Sequence, residues 1–124
     1  MAKILVVDDD QAVRSLLART LTKVGHEVIE ADDGIGAMRL FKENMPDLVI
    51  TDLVMPNKEG LEMILELRGI HPNAHIIAIS GGGRCNPASY LEMAKYLGAV
   101  RTLSKPIGLE QFITTVQEVL AQAA

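Results

Sequence analysis

The chain has no tryptophan, one cysteine, two tyrosines and two phenylalanines among its 124 residues. The single cysteine, Cys85, cannot form an internal disulfide, so nothing in the sequence indicates an oxidising compartment. No apolar run approaches the ~18 residues that a membrane-spanning helix needs. The first residues lead directly into an apolar strand pattern and leave no space for a signal peptide. We therefore expect a cytoplasmic protein that makes no membrane contact.

Basic residues are also in the minority. Twelve Lys and Arg stand against 16 Asp and Glu, which gives a formal net charge of −4. No basic stripe is present, and this argues against nucleic acid as a direct partner. The chain is 48% hydrophobic and 23% charged, which is typical of a globular protein with a core of its own. We expect one domain over residues 1–124.

Five apolar runs of strand length alternate with segments of helical periodicity. The runs are nearly continuous, which is typical of strands that are covered on both faces. The predicted strands span residues 3–7, 28–31, 48–51, 76–80 and 100–103. The regular alternation predicts an α/β domain with a parallel sheet and right-handed crossovers.

The predicted helices begin and end at local signals. Asp9 or Asp10 can cap the first helix, and Gly25 follows its end. Pro46 stops the second helix, and the third begins after Gly60. In chain order, the residues expected on the buried faces of the five helices are Val13, Leu16, Leu17, Leu21 and Val24; Ile35, Met38 and Phe41; Leu61, Ile64 and Leu65; Tyr90, Leu91, Ala94 and Leu97; and Leu109, Phe112, Ile113, Val116 and Leu120.

Acidic residues close two of the apolar strands. Asp8, Asp9 and Asp10 follow the first strand, and Asp52 follows the third. In the strand order 2-1-3-4-5 these two strands are neighbours at the topological switch point, whereas sequential order would separate them by roughly 5 Å more. Clustered carboxylates repel one another unless a cation lies among them, and hard oxygen ligands suit Mg²⁺. The pattern therefore favours the order 2-1-3-4-5 and a magnesium site.

Two further polar groups follow the fourth and fifth strands. Ser80 ends the fourth strand, and Lys105 comes just after the fifth. A phosphoryl group can be held by a metal, a hydroxyl and an ammonium, and a carboxylate oxygen can attack phosphorus. This edge of the sheet therefore has the parts needed to handle phosphate.

The same residues, in this order and spacing, resemble a response-regulator receiver domain from end to end. The matching segments are Val6-Val7-Asp8-Asp9, Thr51-Asp52-Leu53-Val54-Met55-Pro56, Gly60, Ser80-Gly81 and Lys105-Pro106. The resemblance implies a doubly wound α/β fold, a (βα)5 flavodoxin-like sandwich with strand order 2-1-3-4-5. It also implies a phosphoprotein of two-component signal transduction that acts through protein contacts or as a phosphoryl relay, and that is no enzyme beyond its own phosphoryl transfer and hydrolysis.

The resemblance assigns roles to the acidic residues. Asp52 would accept a phosphoryl group from a histidine kinase or phosphotransfer protein. Asp9 and Asp52 would bind Mg²⁺ directly, with Asp8 acting through water. The main-chain carbonyl of Val54 would complete the protein ligands.

The resemblance also implies a switch. Ser80 would hydrogen-bond a phosphoryl oxygen and Lys105 would pair with it, and the peptide between Lys105 and Pro106 is expected to be cis. Thr102 occupies the switch position at which the family often has a rotating Tyr or Phe, so the usual aromatic coupling is in doubt. The loop 81–89 is expected to move on phosphorylation. A downstream protein would bind the fourth helix, the fifth strand and the fifth helix.

Two other classes of function remain open from the residues. A haloacid-dehalogenase-like phosphatase would use Asp8 and Asp10 as nucleophile and general acid. It also needs a later acidic pair, for which only Glu110 and Glu118 are available, and it leaves Asp52 without a role. A docking module could instead keep the fold without the chemistry, although the intact acidic set argues against it.

Overall fold

The structure is a computed structural model and describes residues 2–53, 60–80 and 98–123. Within these ranges five strands alternate with four helices, the last of which, α4, is the fifth predicted helix. The elements are β1 (Lys3–Val7), α1 (Gln11–Lys23), β2 (Glu27–Ala31), α2 (Gly34–Asn44), β3 (Leu48–Asp52), α3 (Gly60–Ile70), β4 (Ile76–Ser80), β5 (Arg101–Ser104) and α4 (Leu109–Ala123). The predicted fourth helix and the side chain of Leu61 lie outside the described residues.

The five strands form one parallel sheet in the order β2-β1-β3-β4-β5. The order predicted from the acidic strand ends is therefore confirmed. In the register, Val7 lies opposite Thr51 and Ser80 lies opposite Ser104. All five strands are parallel, so their carboxyl ends meet at one edge of the sheet. We call this the carboxyl edge.

Two apolar layers cover the two faces of the sheet. One layer joins strand residues to α2 and α3, and it includes Leu5, Val7, Val49, Met38, Phe41, Met63, Ile64 and Leu67. The other joins strand residues to α1 and α4, and it includes Ile4, Val6, Ile50, Leu17, Leu21, Phe112, Val116 and Val119. The sheet is thus covered on both sides, as the nearly continuous apolar strands predict. Among the described helices, none has both the length and the hydropathy to cross a bilayer.

The predicted buried faces of the helices are correct at their centres and wrong at their margins. Leu17, Leu21, Met38 and Phe41 are buried as expected, together with Ile64, Phe112 and Val116. Five residues expected on buried faces are more than one-third exposed instead: Leu16, Val24, Ile35, Leu65 and Leu109. On α3 the buried face is formed by Met63, Ile64 and Leu67, so Leu65 points away with 59% of its surface exposed. Helical spacing identifies neighbours along a helix, but the docking angle on the sheet decides which margin is covered.

The helix boundaries follow the local signals. The carboxylate of Asp10 caps α1 by accepting hydrogen bonds from the amides of Ala12 at 3.0 Å and Val13 at 3.3 Å. Gly25, just past the end of α1, has φ +99°, a conformation that favours glycine. Of the two possible caps, Asp10 is therefore the one used, and this leaves Asp8 and Asp9 for other contacts.

Candidate functional site

Three carboxylates converge at the carboxyl edge. β1 and β3 pair side by side, so the residues that end them are adjacent. One carboxylate oxygen from each of Asp8, Asp9 and Asp52 lies within 4.8 Å of the other two. Asp8 is 1% exposed and Asp52 is 6% exposed, while Asp9 is exposed. We call these three residues the acidic cluster; it has two buried members and one that faces solvent.

Lys105 reaches the same cluster from the end of β5. Its ammonium nitrogen lies 3.1 Å from Oδ2 of Asp8 and 3.5 Å from Oδ2 of Asp52. The main-chain amide of Lys105 donates a 2.8 Å hydrogen bond to the carbonyl of Ser80, which extends the pairing of β4 and β5 past their last register position. The peptide between Lys105 and Pro106 is cis, which confirms that expectation.

The surroundings of Lys105 change its acidity in two opposing ways. Burial by itself would lower the pKa of the ammonium group, because the charged form loses hydration. The negative charges of Asp52 and Asp8 outweigh this effect, and the pKa of Lys105 is raised. Lys105 is therefore a stable cation at neutral pH and offsets part of the repulsion within the acidic cluster.

Asp8 has two carboxylate oxygens in unlike settings. Oδ1 accepts a 2.9 Å hydrogen bond from the amide of Asp10. Oδ2 is buried and has no hydrogen bond of acceptable geometry within the described residues, although Lys105 lies close enough for an ion pair. Lys105 supplies one positive charge against three clustered carboxylates, so the residues present fit a further hard divalent ion.

Ser80 and Thr102 lie where the sequence predicts them in the sheet. Ser80 is the last residue of β4 and is 3% exposed. The preceding residue, Ile79, lies opposite Asp52 on β3, and Ser80 lies opposite Ser104 on β5. Ser80 therefore lies between the end of β3 and the end of β5, which Lys105 follows. Thr102 lies in β5, partly buried and opposite Ala78. Val54 and the loop 81–89 lie outside the described residues.

Gly60 packs directly against the end of β3. Its amide donates a 2.9 Å hydrogen bond to the carbonyl of Leu53. A side-chain carbon at this position would overlap the carbonyl oxygen of Asp52 and would approach the Cα atom of Leu53 to 2.6 Å. Glycine is therefore required for the close approach of α3 to the strand that ends in Asp52.

Two side chains near this edge were not identified from the sequence. The buried hydroxyl of Thr51 donates a 2.8 Å hydrogen bond to the carbonyl of Asp52. Arg14 on α1 donates a 2.8 Å hydrogen bond to the carbonyl of Asp8. The sequence does place Arg14 in the first turn of a helix, where the helix dipole disfavours positive charge. This unusual position could have identified Arg14 as a residue with a special contact.

Comparison with known proteins agrees with this geometry. The response regulator receiver domain family matches residues 4–117. The chain belongs to this family. The predicted resemblance, the flavodoxin-like fold and the assignment to two-component response regulators are thereby confirmed, and the phosphatase alternative loses its support.

The relatives include both long and short proteins. The DNA-binding transcriptional regulator NtrC of Azospirillum brasilense is 35% identical over 96% of this chain, which spans only 24% of that protein. Sporulation initiation phosphotransferase F of Bacillus subtilis is 29% identical, and the match covers 95% of this chain and 93% of the relative. A receiver domain structure from Clostridium thermocellum aligns with a TM-score of 0.90 at 29% identity, covering 98% of this chain and 96% of that one. The chain thus corresponds to a receiver unit that occurs within longer regulators and also makes up almost the whole of some relatives.

Proposed function

We propose that this receiver domain is a phosphoacceptor whose Asp52 takes a phosphoryl group from a histidine kinase or phosphotransfer protein in the presence of Mg²⁺. The observation that carries the proposal is the convergence of Asp8, Asp9 and Asp52 within 4.8 Å, with Lys105 beside two of them. Phosphorylation then alters which protein the chain contacts.

The metal ligands would be the carboxylates of Asp9 and Asp52 and the main-chain carbonyl of Val54, with Asp8 acting through water. The oxygen-only donor set and the repulsion among three carboxylates, which Lys105 offsets only in part, support Mg²⁺ as the ion. When bound, Mg²⁺ neutralises charge on phosphoryl oxygens. The exposed carboxylate of Asp9 leaves one side of the cluster open to the incoming group.

A carboxylate oxygen of Asp52 attacks phosphorus, and a new P–O bond forms as the P–N bond of the phosphohistidine breaks. The electron pair of the broken bond returns to the imidazole nitrogen, and a proton taken up from water makes the imidazole a neutral leaving group. Lys105, held as a cation beside Asp52, pairs with the phosphoryl oxygens as they arrive.

The product adds about −1.5 to −2 charge and three strong acceptors to the acidic cluster. Lys105 would exchange its contact with Asp8 for a phosphoryl oxygen, and the hydroxyl of Ser80 would donate to another. Ser80 is tied to Lys105 through its carbonyl, so both residues move with the ends of β4 and β5. This shift biases the equilibrium between two conformations of one face, which is formed by the predicted fourth helix, β5 and α4. The downstream protein would bind this face.

Labelling with acetyl phosphate tests the proposal without a cognate kinase. The wild-type chain should gain one acid-labile phosphoryl group that requires Mg²⁺, and Asp52→Asn should abolish it. Asp32→Asn, which alters another carboxylate in a loop at the same edge, should label like the wild type. Full labelling of Asp52→Asn would reject the acceptor, and no labelling of the wild type by acetyl phosphate or by a panel of histidine kinases would favour a docking module instead.

A further inference from the structure

Arg14 occupies an unfavourable position for a cation. It lies in the first turn of α1, four residues after the cap Asp10, where the partial positive charge of the helix N-terminus repels it. Its side chain is nevertheless only 16% exposed. Local contacts must therefore offset both the helix dipole and the loss of hydration.

Those contacts join three elements. One terminal nitrogen of Arg14 donates a 2.8 Å hydrogen bond to the main-chain carbonyl of Asp8, at the end of β1. Its Nε lies 3.2 Å from a carboxylate oxygen of Glu30 on β2. Glu30 itself lies opposite Val6 in the sheet register. The planar guanidinium thus connects the edge strand to the start of the acidic loop, a geometry that a lysine cannot reproduce.

The carbonyl that Arg14 binds belongs to the peptide between Asp8 and Asp9. The amide of Asp8 is held by the carbonyl of Ala31 at 3.1 Å, and the amide of Asp10 is held by Oδ1 of Asp8 at 2.9 Å. The hydrogen bond from Arg14 adds a restraint on the carbonyl side of the same short loop. The orientation of this peptide sets the direction from which the Asp9 side chain leaves the backbone.

We propose that Arg14, anchored by Glu30, is a positioning residue for the metal-binding loop. It orients the Asp8–Asp9 peptide so that the exposed Asp9 carboxylate meets those of Asp8 and Asp52. The inference deepens the proposed function and rests on it, since it concerns affinity for Mg²⁺. Partners of metal ligands that act in this way typically contribute about 10–100-fold to metal affinity.

A purely electrostatic role for Arg14 makes the opposite prediction. A positive charge near the acidic cluster repels Mg²⁺, so removing it should strengthen binding. Loss of positioning should weaken binding instead. The sign of the change therefore separates the two roles.

The experiment compares Arg14→Met with Arg39→Met in the full chain. Both variants lose one positive charge, and both arginines line the same small surface cleft beside Glu30. Arg39 is 73% exposed and pairs only loosely with Glu43 at 4.0 Å. Mg²⁺ binding is followed by calorimetry and by amide NMR shifts at fixed ionic strength, and labelling by acetyl phosphate is followed against Mg²⁺ concentration.

We expect Arg14→Met to bind Mg²⁺ about tenfold more weakly than the wild type. Its maximal labelling rate at saturating Mg²⁺ should stay within about twofold of the wild type. General unfolding would lower this maximal rate as well, so weaker Mg²⁺ binding with a nearly unchanged maximal rate indicates a loss of positioning. Arg14→Lys, which keeps the charge, and Glu30→Gln, which removes the anchor, should also weaken binding. They serve as the test if Arg14→Met fails to fold.

An Mg²⁺ affinity in Arg14→Met that equals or exceeds that of Arg39→Met would overturn the inference and leave the proposed function intact. Unchanged affinity in Arg14→Lys and Glu30→Gln would do the same. Absence of Mg²⁺ binding by the wild-type chain would overturn the proposed function and, with it, this inference.

Discussion

Lys105 and Asp8 form an ion pair at the carboxyl edge of the sheet, with 3.1 Å between Nζ and Oδ2. The two residues come from opposite ends of the chain and meet because β1 and β5 both end at this edge. The pair gives the acidic cluster an internal cation. Any ion or phosphoryl group that enters the cluster must therefore compete with this ion pair or add to it.

Removal of one metal ligand should make the free energy of unfolding much less dependent on Mg²⁺. The wild-type chain should gain about 2.7 kcal/mol in free energy of unfolding at an Mg²⁺ concentration one hundred times the dissociation constant. Asp9→Asn should lose most of this gain, because Asp9 supplies the exposed carboxylate of the cluster. Urea unfolding with and without EDTA measures the difference, and Asp32→Asn should keep the gain. Equal Mg²⁺ stabilisation of Asp9→Asn and the wild type would contradict the ligand assignment.

Two glycines of α3 should respond in opposite ways to alanine. Gly60→Ala should lower the free energy of unfolding by about 1–3 kcal/mol, because the new carbon overlaps the carbonyl of Asp52. Gly69→Ala meets no atom within 4 Å and should be neutral or stabilising by up to about 1 kcal/mol. Urea denaturation measures both. Gly60→Ala should also slow acetyl phosphate labelling, and similar stability of the two variants would refute the close approach.

The raised pKa of Lys105 predicts a loss of stability in alkaline solution. A cation whose pKa is higher in the folded chain stabilises it fully below the ordinary lysine pKa of about 10.4. That contribution disappears as pH rises through the raised value. In EDTA, the unfolding free energy of the wild type should therefore fall towards that of Lys105→Met above about pH 10.4. A difference between the two that stays constant across this range would show that Lys105 stabilises the fold without its charge.

Ser80 should couple phosphorylation to the loop that follows β4. Hydrogen exchange across 81–89 should change when a beryllofluoride mimic occupies Asp52, because the Ser80 hydroxyl is drawn to the mimic. Ser80→Ala should still be labelled by acetyl phosphate but should show a smaller exchange response. Ser104→Ala, which alters an exposed serine opposite Ser80 in the neighbouring strand, should respond like the wild type. Identical exchange with and without the mimic in the wild-type chain would contradict a switch at this loop.

Much of the fold was predictable because its determinants are local. The carboxylate of Asp10 caps α1, and the apolar runs of β1, β3 and β4 are buried on both faces, as their patterns indicate. Strand order needed one further argument, the convergence of the acidic strand ends around a cation, and the sheet confirms the predicted order. The exposed Leu65 shows where periodicity fails, since the docking angle of α3 is a property of the packed molecule.

The amino-acid sequence alone determined the family, the layer architecture and which side chains end each strand, because hydrophobic period and strand-end chemistry act over a few residues. Only the tertiary structure decided how those ends interact: that Lys105 pairs with Asp8 as well as Asp52, that Gly60 must lack a side chain, and that Arg14 holds the carbonyl of Asp8. Such contacts depend on distances between segments far apart in the chain, and these distances are set by packing of the whole sheet and its helices.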